Sequence, residues 1–429
     1  MIDACGAALL PGLHDHHIHM LALAASLDSV RCGPPDIQSE PALASLLQRH
    51  NAIPGPGWVR GIGYHPCVAG DIDRDWLDRH IPDRPVRIQH RGGRLWVFNS
   101  RALDDIGAPC PGSPAGLELV NGRATGRLYD GDQWLRARLD SRFPDLGKAS
   151  LLLAGYGVTG ITDTTPANGG AEWSYFLQSQ LSGQLRQSVR MMGAGQIMQC
   201  REAELLKRGE FKIHLLESQL PELESLCGDI STAHAQGRPV AFHCVSRTEL
   251  VYALGALRAT GVLPGDRIEH ASVTPPELLQ SIRELGLRVI TQPHFIAERG
   301  DQYLADVEAS DQPWLYRAAS FISAGIPLAG GSDAPFGSAD PWRAMHAAVA
   351  RSTRAGRVMD PAEALTPEQA LSLFLSRPEA PGIACVELEV GARADLCLLD
   401  APWEVVREDL SSGHVRATWQ AGTLIFGSP

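Results

Sequence analysis

The chain lacks several features that would each have pointed somewhere else. No stretch approaches the roughly 18 consecutive apolar residues of a membrane-spanning helix, and no run of like charges marks a solvated tail. A basic surplus is missing too. The 38 Lys and Arg are outnumbered by 49 Asp and Glu, a formal net charge of −11, which argues against non-specific binding to nucleic acid or anionic lipid. Nine cysteines include no Cys-x-x-Cys pair and no paired framework, so they read as reduced thiols of a cytoplasmic protein. The opening residues, Met1 to Gly6, carry neither the basic stretch nor the apolar core of a secretory leader. Internal repeats and low-complexity tracts are absent. The expected protein is cytoplasmic, has no nucleic-acid or membrane partner, and is open to homo-oligomerisation.

What is present is a large apolar budget, 44% hydrophobic residues over 429, more than one small domain needs. From about residue 150 short β-branched runs alternate with helix-patterned segments, the signature of a parallel sheet or barrel. The strand candidates are Gly160–Thr165, Ser188–Met192, Phe211–Leu215, Val240–Cys244, Arg267–His270, Arg288–Gln292 and Pro327–Gly331. An early apolar run, Ala8–Leu13, makes eight. Helix-like stretches between them end at Gly237, Gly261, Gly286 and Gly325, as C-caps do. Eight such units build a (β/α)8 barrel, whose active site lies at the C-terminal strand ends. A doubly wound sheet is the alternative, but it would not bring first and last strands together. Residues 32–150, with an amphipathic helix near Pro41–Arg49 and a hairpin pattern Val86–His90, Leu95–Phe98, read as an insertion. The tail, with strand patterns over Gly391–Leu399 and Val415–Phe426, reads as a small β unit.

The chemistry-bearing residues collect at the ends of those strands. After Ala8–Leu13 comes Pro-Gly-Leu-His-Asp-His-His-Ile-His, in which His17 and His19 stand two apart. An extended backbone sends both imidazoles to one side, while His14 and His16 alternate away as bystanders. Lys212 lies on the fourth strand, His243 on the fifth, His270 ends the sixth, and Asp333 follows the eighth in Gly-Gly-Ser-Asp-Ala-Pro. Taken singly, each has an ordinary structural use; a strand histidine is most often a satisfied core residue. Together at one end of one barrel they form a site. Four imidazoles and a carboxylate suit Zn²⁺ or another borderline divalent ion with a position left for water. Such an ion brings hydroxide within reach at neutral pH, and Asp333 can move its proton to a leaving group. An ammonium at Lys212 would repel the ion, whereas its carbamate would bridge two.

These pieces, in this order, resemble the amidohydrolase superfamily of metal-dependent hydrolases, in particular its YtcJ-like, amidohydrolase-3 branch, which includes N-substituted formamide deformylases. The resemblance rests on Pro11-Gly12 with Asp15-His16-His17-Ile18-His19, Gly57-Trp58-Val59-Arg60-Gly61, Asn99 to Leu103, the Lys212 strand, and Phe242-His243. It continues through Arg267-Ile268-Glu269-His270, Gln292-Pro293, Ser332-Asp333-Ala334-Pro335 and Val390 to Leu396, and so covers essentially the whole chain. It implies a distorted TIM (β/α)8 barrel with a small β-sandwich-type unit built mainly from the C-terminus. It also implies that His17, His19, Lys212, His243, His270 and Asp333 bind one or two divalent ions, with zinc first in rank. The implied reaction is hydrolysis of a non-peptide C–N bond in an amide, formamide, urea or cyclic amide by metal-activated hydroxide, with Asp333 as proton shuttle. A mononuclear deaminase of an amidine-type substrate, and a non-catalytic metal-binding protein, are the alternatives.

The expected domain plan is a remnant of the β unit over 1–10, the hydrolase barrel over 8–375 with its insertion at about 32–150, and the C-terminal β unit over 376–429. The chain departs from the family pattern where substrate would lie. Arg94 stands where relatives often have His, Leu215 to Pro221 replaces a long Asp-Gly-rich loop, and Val245-Ser246 replaces Gly-Asp. Met1 falls just before the barrel, where relatives have a longer N-terminal piece. Arg94, Trp96, Tyr129, His294 and Arg299 are the candidates for contact with substrate, Arg to hold a carboxylate or polarise a carbonyl, the aromatics to flank an apolar group.

Overall fold

The computed structural model describes residues 3–53, 57–139 and 143–428. Met1 and Ile2, the start of the segment read for a leader, lie outside the described residues. The chain forms two compact units, one of Met1–Met20 with Asp145–Pro429 and the other of Leu21–Pro144.

The first unit is built on eight parallel strands: β1 (Leu13–Ile18), β2 (Val158–Asp163), β3 (Ser188–Gly193), β4 (Leu206–His214), β5 (Val240–Cys244), β6 (Arg267–His270), β7 (Arg288–Thr291) and β8 (Leu328–Gly330). Each is hydrogen-bonded to its sequence neighbour, from β1 through to β8, which is the connectivity of a (β/α)8 barrel. Helices such as Leu223–Ala235, Arg247–Thr260 and Pro276–Glu284 fill the connections. Parallel strands covered on both faces are continuously apolar or paired, and β1, β2 and β6 are buried at every position. Val158, Ile161, Val189, Phe242, Ile268 and Val289 are all at most 2% exposed, each worth about 1.5–3 kcal/mol of burial. The four glycines expected as C-caps all take positive φ, from 65 to 82°.

The first strand differs from the sequence reading. Pro11-Gly12 breaks the apolar run Ala8–Leu13 in two. Leu9–Pro11 leaves the barrel and pairs antiparallel with Leu396–Leu399, in a four-stranded sheet completed by Val415–Gln420 and Thr423–Gly427. The barrel strand is the histidine run itself, Leu13–Ile18, so His17 lies within it and not past its end. His14 and His16 are equally buried: His14 Nε2 meets Thr162 Oγ1 at 2.9 Å and His16 Nε2 meets Ser376 Oγ at 3.0 Å.

The ladder does not run from β8 back to β1; the seam is closed by the residues that follow them. Asp333 N donates to His17 O at 2.7 Å and His19 N to Ala334 O at 2.9 Å. Ser332 N donates to the buried Asp15 carboxylate at 2.9 Å. Closure of the barrel and placement of Asp333 beside the histidines are therefore the same event.

The Leu21–Pro144 unit has a six-stranded mixed sheet, in the order Val30–Arg31, Val59–Tyr64, Val86–His90, Leu95–Phe98, Arg123–Tyr129, Leu117–Val120. The expected hairpin is there, pairing Ile88 with Val97. Leu43, Leu47, Trp76, Leu77, Val86 and Ile88 pack one core of this unit. Among the described residues no helix is long and apolar enough to cross a membrane.

Candidate metal centre and active site

Consider first what each imidazole does with its two nitrogens. His17 Nδ1 is hydrogen-bonded to a carboxylate oxygen of Glu269, and His270 Nδ1 to Gln292 Oε1 at 2.8 Å. Both partners are acceptors there, so Nδ1 carries the hydrogen and Nε2 is turned toward the cluster. His270 is neutral and keeps its Nε2 lone pair. For His17 burial is outweighed by the charge of Glu269 and the contact with Asp333, which raise it, and its Nε2 hydrogen points at Asp333 where an ion would take its place. His19 Nδ1 meets Thr165 Oγ1 at 2.9 Å. The free edges converge. His17 Nε2 and His19 Nε2 lie 3.4 and 3.2 Å from Asp333 Oδ1. Donor atoms of His17, His270 and Asp333 all lie within 4.8 Å of one another. His243 presents Nδ1 to the cluster, 3.0 Å from His270 Nε2.

Burial sets the charge states. It drives His270 down to about 3 and His243 well below its ordinary value, so both are neutral donors at pH 7. Burial opposes charge on Asp333 as well, but hydrogen bonds from His17 and His19 outweigh it and hold the carboxyl well below the usual range. Lys212 sits in β4, 5% exposed, with Nζ making no hydrogen bond among the described residues. Burial pushes its amine down to about 8, against the nearby charges of Glu269 and Asp333. A buried ammonium without a partner is costly, and a covalent or metal partner would relieve that cost.

The donor set fits a borderline divalent ion: imidazole nitrogens turned to one point, one carboxylate, and one amine that makes no hydrogen bond among the described residues. Two of these residues sit on strained backbone. His270 has φ 70° and Asp333 φ 51°, left-handed values that residues with a Cβ seldom adopt. Such outliers persist where surrounding contacts over-determine them, often at functional sites.

Beneath the cluster lies a row of buried charges that sequence reading left out. Glu269 joins His17 to Arg267, whose Nε donates to Glu269 Oε1 at 2.6 Å; Arg267 Nη2 also donates to His16 O at 3.1 Å. Arg267 and Glu269 are both 0% exposed. Arg190 pairs with the buried Glu210 at 3.2 Å, next to Arg267. The signal was in the sequence, since Arg267 and Glu269 alternate on one side of a strand with no room for solvent. Asp15 was a second omission: it accepts from both His17 N and Ser332 N.

The residues suggested for substrate contact are divided between the units. In Leu21–Pro144, Arg94 forms a two-pronged pair with Asp130 at 2.7 and 2.6 Å. Trp96 is 3% exposed, its indole donates to Asp132, and Arg87 and Arg60 stand over its ring. Tyr129, at the end of Arg123–Tyr129, is exposed. In the barrel unit, His294 and Arg299 belong to the helix His294–Asp306 after β7, where His294 Nε2 donates to Ser332 O and Arg299 donates to Phe336 O.

With this geometry in hand, comparisons with known proteins agree on one grouping. The sequence pattern of the Amidohydrolase family matches residues 1–426. The N-substituted formamide deformylase of Arthrobacter pascens is 26% identical over 489 aligned positions, covering 99% of this chain and 90% of that protein. The YtcJ protein of Bacillus subtilis (strain 168) is 23% identical, covering 87% of this chain and 79% of its own length. The crystal structure of an uncharacterized metal-dependent hydrolase from Pyrococcus horikoshii OT3 superposes with a TM-score of 0.75 at 22% identity, covering 97% of this chain and 89% of the other.

Proposed function

The chain belongs to the amidohydrolase family, hydrolases of C–N bonds other than peptide bonds, and from that membership we propose that it hydrolyses an amide-type bond of a small molecule at the His17–Asp333 cluster. The observation that carries this reading is the convergence of His17, His270 and Asp333 donor atoms within 4.8 Å, flanked by His19, His243 and Lys212, whose amine has no hydrogen-bond partner among the described residues. The proposed ligands are His17, His19, Lys212, His243, His270 and Asp333, the ion is zinc, and Lys212 serves as a carbamate where two ions are held. A bound ion supplies Lewis acidity and water ionised near neutral pH.

The chain's own residues then do the following. Glu269 and Gln292 keep a proton of His17 and of His270 on Nδ1, which leaves Nε2 turned toward the cluster. His243 and His270 stay neutral because they are buried, and so remain electron-pair donors. Asp333, ionised and held between two imidazoles, takes a proton from the attacking water on Oδ1 and returns it to the departing nitrogen. The location proposed is the cytoplasm, from the unpaired cysteines.

The substrate class is tested first with N-substituted formamides, because the Arthrobacter pascens relative is named for them. Purified, zinc-supplemented protein is incubated with a panel of N-substituted formamides, ureas, cyclic amides and amidines, and formate, amine and ammonia are measured. Release of amine from a formamide, amide or urea, abolished by a chelator and lowered about 10²-fold or more by Asp333→Asn with metal retained, is the expected result. Turnover unaffected by Asp333→Asn removes the shuttle. Ammonia from an amidine alone makes the enzyme a deaminase.

A further inference from the structure

The helix His294–Asp306 stands directly after β7, and its first residues reach across to the segment that carries Asp333. His294 Nε2 donates to Ser332 O at 3.0 Å, Arg299 donates to Phe336 O, and Glu298 Oε1 accepts from Ser338 N at 3.0 Å. Three side chains from one helix thus hold three backbone groups of residues 332–338. We propose that His294, Glu298 and Arg299 act as positioning residues that clamp the Asp333 segment, and that His294 and Arg299 serve the site in this way and not by binding substrate. The inference rests on the reading of Asp333 as ligand and proton shuttle.

Further observations support a clamp. The segment lies flush on the helix at Gly337, where a Cβ would stand 2.3 Å from His294 Nε2, 2.6 Å from the Phe295 ring and 2.8 Å from Ser332 O. Asp333 itself is left-handed, with φ 51°, and its carbonyl closes a tight turn by accepting from Phe336 N at 2.8 Å. That conformation is strained for a residue with a Cβ, so contacts outside the turn must maintain it. Finally, the turn couples to the ligands. The Phe336 ring packs edge-on to His19 with centroids 5.5 Å apart, and Asp333 N is bonded to His17 O. A shift of the turn therefore moves Oδ1 away from both Nε2 atoms at once. The Arg299 guanidinium lies 4.2 Å from the centre of the Phe295 ring, so the clamp is itself packed in place. A guanidinium already engaged with a ring face and a carbonyl is poorly disposed to take a substrate carboxylate.

The experiment compares the full chain with Arg299→Met, Glu298→Leu and Glu298→Gln by two readouts. Amide hydrogen exchange of residues 331–340, measured without added metal, comes first. Loss of one clamp bond is expected to raise exchange at Phe336 and Ser338 about 3- to 10-fold in Arg299→Met and Glu298→Leu. Glu298→Gln, which keeps an oxygen acceptor for Ser338 N, should retain the natural rate. Unchanged exchange in both disrupting variants overturns the clamp, and if one of them fails to fold the other decides. The second readout is Zn²⁺ affinity by chelator competition. Arg299→Met should weaken it several-fold in the natural chain but not in an Asp333→Asn background, because the effect runs through Asp333. An equal loss in both backgrounds also overturns the proposal. If the natural chain bound no Zn²⁺, the metal-dependent reading would fail while hydrogen exchange still judged the clamp.

Discussion

Glu269 and His17 are 252 positions apart in sequence, yet one carboxylate oxygen of Glu269 is hydrogen-bonded to Nδ1 of His17 inside the barrel, with both side chains at most 1% exposed. The contact fixes which face of the imidazole is free. The second carboxylate oxygen is taken by Arg267, which also holds the backbone of the histidine strand at His16 O. Glu269 is therefore anchored from behind, and its charge is compensated without loss of its hold on His17. Carboxylates in this relation to a ligating histidine raise its donor strength and restrict its orientation.

The first prediction follows from that contact. Glu269→Gln keeps the shape but removes the charge, leaving Arg267 buried with its partner neutralised. Zn²⁺ affinity is expected to fall about 10- to 100-fold, and stability by about 3–5 kcal/mol if the broken pair is not rearranged. Chelator competition and urea unfolding separate the two effects. An affinity equal to that of the natural chain would show that Glu269 does not tune His17.

Lys212 carries the second. With its amine lowered to about 8 by burial, about one amine in ten is neutral at pH 7, against fewer than about one in a thousand for an ordinary lysine. Carbamate formation uses the neutral amine, so carboxylation should rise with pH toward 8 and with added bicarbonate. Metal analysis is expected to exceed one ion per chain in bicarbonate and to stay at or below one in Lys212→Met. A ratio that responds neither to bicarbonate nor to the substitution would leave Lys212 as an amine.

How much of this was legible beforehand depended on where the information sits. β5 and β6 were bounded to the residue, and β2, β3, β7 and β8 to within two, because short β-branched runs between capped helices carry their own limits; β4 begins five residues before the expected Phe211, at Leu206. The first strand was misplaced because Pro11-Gly12 separates two sheets, and only partners near residues 396–399 and 157–163 reveal that. The ligand types were legible one by one, as His-x-His or as a lysine in an apolar strand. Which nitrogen of each imidazole faces inward was not legible, since Glu269 and Gln292 decide it from distant strands. The roles of His294 and Arg299 were hidden for a similar reason: the helix His294–Asp306 had no marked start, because it begins directly on Pro293.

A third prediction concerns acid. Burial, followed by the charges of Arg267 and Arg190, lowers His14 from 6.5 to about 3. A histidine depressed in the folded state contributes stability that is complete above its unfolded value near 6.5 and is lost as pH falls toward 3. Between pH 7.5 and 4.5 that single group removes about 2–3 kcal/mol. The chain with His14→Asn, which cannot take up that proton, should lose correspondingly less stability over the same interval, even if it starts lower. Urea unfolding at the two pH values measures the difference, and parallel losses in both chains would assign the acid sensitivity to other groups.

The fourth prediction tests whether barrel closure and the metal centre are one structure. A Cβ on Gly331 would lie 2.4 Å from His17 Cβ and 2.6 Å from His17 N. The obstacle is the backbone of β1, which cannot rotate aside as a long side chain could. Gly331→Ala must therefore push the β8 connection off β1 at the very place where Asp333 N reaches His17 O. Overpacking of this kind costs about 1–3 kcal/mol, a loss that a chain of this size can survive. The expected result is a folded protein whose Zn²⁺ affinity falls by more than its stability alone would require, since the displacement is aimed at the distance between Asp333 and His17. Gly330→Ala is the control, because a Cβ there meets the side chains of Phe374 and Leu373 and not the ligands. It should cost stability with little change in metal affinity, and equal metal losses in the two variants would separate closure of the seam from placement of Asp333.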